Sequence, residues 1–185
     1  DVYKRQVFNQ YVDIATLGTI ADVVPLLGEN RVIVDKGLKI LHNPKRIGIR
    51  AIMEVAGVLD KPLSASTIAF SIAPRLNAAG RLGSAATAVE LLLTNDESRA
   101  RELALLLDTE NKERQQTERQ IFDEALELIA KDPNFEKKKV IVLAQENWHQ
   151  GVIGIVASRL CDIYYKPCIL ISHTNGVGKG SGRSI

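Results

Sequence analysis

The sequence predicts an α/β protein in two parts, a helical first part and a smaller α/β second part, joined by one long helix. Three observations carry this. Residues 13–93 hold several short stretches with apolar residues at helical spacing and tight connections between them. Residues 94–132 are dominated by helix formers up to Lys131, Asp132 and Pro133. Beyond them, two short apolar runs, 139–144 (KVIVLA) and 168–172 (CILIS), flank one helical stretch. The 185 residues suit one to one-and-a-half ordinary domains. With 45% hydrophobic and 25% charged residues, the composition excludes a disordered, collagen-like or wholly coiled-coil chain. No apolar run reaches the roughly 18 residues of a membrane span, and the start, DVYKRQVFNQ, lacks the apolar core of a secretory signal. Cys161 and Cys168 form no CxxC pair and read as core residues of a reduced, cytoplasmic protein. The net charge is only +2, so an anion site must be argued from local clusters.

Taken in order, Asp13 is placed to cap an apolar helix over 14–21 that ends near Asp22. Pro25 and a turn at Gly28, Glu29 and Asn30 follow. Val32, Ile33, Leu38 and Leu41 mark the next helix, stopped by Asn43 and Pro44. Residues 49–56 form another, closed by Gly57. A third runs over 64–72 and ends there, because the residue before Pro74 avoids the helical region. Residues 74–83 are therefore expected to be a loop, and Ser84 opens a helix over 85–93. Thr94 and Glu97 have capping-box spacing. The helix they start would be about 50 Å long at 1.5 Å per residue. Its ends are apolar on one side, with Leu103, Leu106 and Leu107 at one and Ile121, Phe122, Ala125, Leu126 and Ile129 at the other. Its middle, 108–120, has no apolar residue, which with anchored ends reads as a bridge through solvent. The expected division is thus 1–93, 94–132 and 133–185, the last domain being incomplete. Strand 139–144, helix 151–161 and strand 168–172 make a right-handed parallel βαβ unit, followed by the glycine-rich run 176–182.

Four segments carry possible chemistry. Asp22, a carboxylate at a helix C-terminus, is disfavoured by the macrodipole, which a divalent cation would offset; a solvated helix-end acid is the plain alternative. Arg75, Asn77 and Arg81 stand among small residues ahead of a helix N-terminus, a combination that suits phosphate or is merely a solvated loop. Trp148, His149 and Gln150 follow a strand and open a helix, the usual ligand position of α/β units. Trp148 could stack a base or cap the core, and His149 could bind phosphate, act as an acid or be structural. Lys179, Ser181 and Arg183 among glycines make a possible anion cradle without the Walker order. His42 and His173 are isolated. Segments from both domains point to a nucleotide or nucleic-acid ligand between them.

Five stretches in this order resemble a central fragment of the RecJ-type exonucleases, a family of the DHH phosphoesterase superfamily. They are DIATLGTIADVVPLLGENR (13–31), PRLNAAGRLGSA (74–85), the long helix, NWHQGVIGIVASRL (147–160) and GKGSGRSI (178–185). The resemblance implies the helical C-terminal part of a DHH domain, a linker helix, and the first part of an α/β DHH-associated domain. It implies hydrolysis of single-stranded DNA from the 5′ end with two Mn²⁺ or Mg²⁺ ions, in repair and recombination. Asp22 would be a metal ligand, with Asp13 as the alternative, and Asp22 and His149 would be catalytic. Arg75, Asn77, Arg81, Trp148, His149 and Lys179 would contact DNA; Ser181 and Arg183 would hold the 5′-terminal phosphate. Single-strand-binding protein and a RecQ-type helicase are the implied partners. Asn147 stands where the family pattern has glycine. The family's other metal motifs, the DHH triplet among them, are absent, so the fragment alone is expected to be inactive. Residues 1–6 match nothing in the pattern and read as foreign. A DHH oligoribonuclease or nucleotide phosphatase and a non-catalytic single-strand-binding homologue are the alternatives.

Overall fold

The structure, a computed structural model, describes the backbone of residues 2–185 and the side chains of residues 6–185. The expectation about residues 1–6 therefore falls largely outside the described residues. The chain divides into two compact units, Asp1–Asn111 and Lys112–Ile185.

The first unit is all helix. Helix α1 (Val2–Ala21) crosses α2 (Gly28–Leu41), and α3 (Ile47–Val55) follows. Then α4 (Ala65–Thr67), a π-turn (Ile68–Ile72) and α5 (Ala73–Leu82) form one continuous helical run, before α6 (Ala85–Leu93). The core gathers Leu41, Ile49, Ile52, Met53, Ile68, Ile72, Leu91, Leu103 and Leu107, all buried. Two close crossings need glycine. A Cβ on Gly37 of α2 would lie 1.8 Å from Thr16 Oγ1 of α1, and one on Gly48 of α3 would lie 1.7 Å from the Leu91 carbonyl of α6.

Three expectations are corrected in this unit. Asp13 does not start a helix: it lies within α1, is buried, and its Oδ2 accepts from Arg46 Nε at 2.9 Å. Among the described side chains of α1, the first buried one is Val12, so residues 6–11 carried no helical periodicity. Residues 74–82 are a helix, not a loop. Pro74 sits in the first turn of α5, where its missing N–H is tolerated. The π-turn ahead of it, with the Ala73 N–H bonded to the Ile68 carbonyl, keeps Ala73 helical at φ −55°. Ser84 does cap α6, accepting the Ala86 N–H.

Helix α7 (Glu97–Ala130) is 34 residues long and runs from the first unit into the second. Asp96, not Thr94, caps it, accepting the Arg99 N–H at 3.0 Å. Its polar middle is not solvated all round: Asp108 and Asn111 are buried, on the stripe that Ala100, Leu103, Ala104 and Leu107 begin. Lys112, Glu113, Gln116, Arg119 and Gln120 beyond them are exposed.

In the second unit, β1 (Ile141–Glu146), α8 (Gln150–Tyr164), β2 (Cys168–Thr174) and β3 (Val177–Arg183) form a three-stranded sheet of order β1-β2-β3 with one helix. Strands β1 and β2 are parallel, with Ile141 opposite Cys168. Strand β3 is antiparallel to β2, with Leu170 opposite Ser181. The glycine-rich run is therefore an edge strand rather than a free cradle. Asn175 (φ 52°) and Gly176 (φ 77°) form the tight hairpin, the pair of positive φ values that a two-residue turn asks for. Helix α8 buries Val152, Ile153, Val156, Ala157, Leu160 and Cys161. The end of α7 adds Ile121, Phe122, Ala125 and Ile129 to the buried residues of this unit. The Arg159 guanidinium covers the Phe122 ring at 3.9 Å, a cation–π contact. Cys161 and Cys168 are both buried and free, and burial pushes the Cys168 thiol up to about 11. No described helix is long and apolar enough to cross a membrane.

Candidate functional site

In the first unit, α1 ends where Val23 takes a left-handed φ of 55°, an unusual conformation for a β-branched residue. Asp22, immediately before it, still bonds through its N–H to the Gly18 carbonyl at 3.1 Å. Its carboxylate is exposed beside the negative end of α1. Helix α5 brings Asn77, Gly80 and Arg81 to one face, because residues three and four apart stack on a helix. Gly18, Ala21, Asp22, Asn77, Gly80 and Arg81 line one shallow depression. A Cβ on Gly18 or Gly80 would meet nothing within 4 Å, so its walls are low and open. Three of the residues singled out in the sequence thus converge from two distant helices, a carboxylate beside an amide and a guanidinium.

Arg75 is not among them. Two residues before Asn77, it points away, and its Nε donates to Asp108 Oδ1 of α7 at 2.8 Å while its Nη1 donates to the Ser71 carbonyl. The structure pairs with a carboxylate the guanidinium that the sequence reading offered to phosphate. Asp108 was missed in the sequence, although its place on the α7 stripe was a usable signal.

Among the described residues no group of three or more carboxylate, imidazole or thiolate side chains could hold a metal ion. Asp22 fits one position of a divalent site. A divalent cation takes several oxygen or nitrogen donors, so this chain's residues do not complete one.

In the second unit, Asn147 adopts φ 64°, a left-handed conformation that asparagine tolerates where glycine was expected. Trp148, next to it, is 4% exposed and donates from Nε1 to Glu124 Oε2 of α7 at 2.7 Å. The ring is thus enclosed, the environment that its core reading describes. His149 caps α8, its Nδ1 accepting the Gly151 N–H at 3.1 Å. That bond places the ring proton on Nε2.

Lys179, Ser181 and Arg183 alternate along β3 and share one face. A Cβ built on Gly154 of α8 would come within 2.9 Å of both Ser181 Oγ and Arg183 Nη2. Glycine at 154 is what lets this pair lie against the helix. Arg183 Nη1 donates to Ser181 Oγ at 3.1 Å and to the Gly182 carbonyl at 2.7 Å. Gly154 carried no sign of this in the sequence, because only the strand register brings it to β3.

Helices followed by a small mixed sheet are also the fold of solved RecJ structures over the part that matches this chain. No protein-family model matches the chain. The single-stranded-DNA-specific exonuclease RecJ of Bacillus subtilis is 41% identical over 179 residues, 96% of this chain and 22% of its own length. RecJ of Haemophilus influenzae is 44% identical over 182 residues, 96% of this chain and 32% of its own length. A crystal structure of RecJ from Thermus thermophilus in complex with Mg²⁺ matches with a TM-score of 0.83 and 40% identity, over 96% of this chain and 27% of that one. The same protein with Mn²⁺ matches at 0.82. The resemblance to RecJ-type exonucleases therefore holds along nearly the whole chain, in sequence and in fold. The chain spans only 22% to 32% of the length of these two curated relatives.

Proposed function

We propose that this chain is part of a metal-dependent exonuclease that removes nucleotides from the 5′ end of single-stranded DNA. The observation that carries the reading is the convergence of Asp22, Asn77 and Arg81 on one depression floored by small residues. Small residues let a phosphodiester approach the backbone. The Arg81 guanidinium and the Asn77 amide supply donors for its oxygens, and Asp22 supplies one anionic ligand. RecJ structures hold Mg²⁺ or Mn²⁺, and such ions, when bound, lower the pKa of water and stabilise developing charge on phosphorus-bound oxygens. The remaining ligands would come from outside this chain, so the 185 residues alone are expected to be inactive.

In the second unit, Ser181 and Arg183, with Lys179 on the same face, would hold the 5′-terminal phosphate. His149 Nε2, the nitrogen not used in capping α8, would hold or pass a proton near the substrate. The reading extends to repair and recombination in the cytoplasm, with single-strand-binding protein and a RecQ-type helicase as partners.

The test uses the full-length protein. Asp22→Ala should lower Mn²⁺-dependent digestion of a single-stranded oligonucleotide by at least about a hundredfold, an order typical for loss of a group that organises the reacting centre. The circular dichroism spectrum should stay unchanged. Undiminished digestion would overturn the assignment.

A further inference from the structure

We propose that Arg75 and Asp108 are positioning residues that set the orientation of α5, and with it Asn77 and Arg81, over Asp22; this rests on the reading of that depression as the nuclease site. The two side chains are only 18% and 10% exposed, and Nε and Oδ1 are 2.8 Å apart. Arg75 also binds the carbonyl of Ser71, inside the π-turn. The backbone ladder is weakest at this place, because Pro74 brings no N–H and the turn before it is wider than α. A fork that grips both Ser71 and α7 fixes the start of α5 where its own backbone does so least. Asn77 and Arg81 lie further along the same short helix, so any rotation of its first turn moves both.

The character of the pair points the same way. A shielded ion pair is a weak device for stability, since desolvation offsets most of the attraction. What it adds is direction, because a planar guanidinium accepts few geometries. A direct phosphate contact is the competing role, and Asp108 argues against it by already neutralising the guanidinium.

The experiment compares Arg75→Gln, Asp108→Asn, the double variant and Arg81→Ala in the full-length protein. Digestion of a 5′-phosphorylated single-stranded oligonucleotide gives kcat and KM. Binding of the same oligonucleotide in EDTA, over a series of salt concentrations, gives the salt slope. Positioning predicts that Arg75→Gln and Asp108→Asn each lower kcat about tenfold or more. The double variant should be no worse than either single one, KM should stay close to its parent value, and the salt slope should not change. A phosphate contact predicts that Arg75→Gln reduces the slope by about 0.7, one single-strand phosphate, and that Asp108→Asn tightens binding by releasing the guanidinium. Either result overturns the proposal, as does wild-type kcat in both single variants. Arg81→Ala separates the two readings. If it alters kcat or the slope while the pair variants behave as wild type, only the positioning role fails. If it alters neither, the site reading fails and the proposal falls with it. Should the first two variants not fold, Arg75→Lys decides. It keeps the charge opposite Asp108 but loses the fork to Ser71, so a folded protein with reduced kcat supports positioning and a fully active one overturns it.

Discussion

Gly154 shows how a single absent Cβ can make room for two side chains against a helix. Alanine there would press on Ser181 Oγ and Arg183 Nη2, both at 2.9 Å, and both are ends of side chains that can give way. In an α8 interior, alanine is favoured over glycine by about 1 kcal/mol, so Gly154→Ala should keep the fold and its thermal midpoint. The displaced pair should lose its grip on a terminal phosphate. Competition between 5′-phosphorylated and 5′-hydroxyl oligonucleotides, digested by the full-length variant, should show the preference for phosphate falling several-fold. An unaltered preference would remove Ser181 and Arg183 from end recognition. Much of the candidate site was legible in the residues themselves: Asp22, Asn77 and Arg81 stand in short strings of unusual composition. The Asp108 partner of Arg75 was not legible, because a cation among small residues carries no sign of a carboxylate 33 positions away. The Glu124 partner of Trp148 was hidden in the same way, since an indole that stacks and an indole that packs look alike in sequence.

At the scale of elements, two glycines in helices should respond to alanine in opposite directions. Gly48 lies 1.7 Å, at its hypothetical Cβ, from the Leu91 carbonyl, and backbone cannot swing aside. Overpacking of about 1–3 kcal/mol outweighs the gain in helix propensity, so Gly48→Ala should lower the melting temperature. Gly80 has open space around it, so Gly80→Ala should raise the melting temperature by the equivalent of about 0.4–1 kcal/mol. Because Gly80 lines the depression, the same change should slow digestion, a stability gained at the expense of a site. Calorimetry of the two variants checks both signs. Local signals did locate α6, from its Ser84 cap, and the β1-α8-β2 succession, from apolar runs around a helical stretch. They failed for α5 and β3. Proline opposes the helix at short range, and only the preceding π-turn with its tertiary contacts overrides it. Alternating glycines give β3 no periodic apolar signal; its pairing with β2 makes it a strand.

At the scale of the whole molecule, two compact units share one helix, and the single tryptophan belongs to the second. Its emission therefore reports on that unit, whereas most helical residues, and hence most far-ultraviolet ellipticity, lie in the first. Denaturant unfolding of the 185-residue chain should give different midpoints by the two probes, the mark of a departure from two-state behaviour. Glu124→Gln, which weakens the bond to the indole, should move the fluorescence midpoint alone. Coincident transitions would show that α7 makes the two units one cooperative body.

The π-turn ahead of Pro74 also acts as a phase setting. Each residue of an α-helix advances the chain by about 100° around its axis, and a π-turn accommodates one residue more than the regular spiral. Winding the same five residues, Ile68–Ile72, as regular α-helix with none removed would turn everything after them by about that angle. Asn77 and Arg81 would leave the face they share with Asp22, and Arg75 would leave Asp108. The length of this one turn, as much as the identity of any side chain beyond it, is thus part of how the chain encodes which way α5 faces.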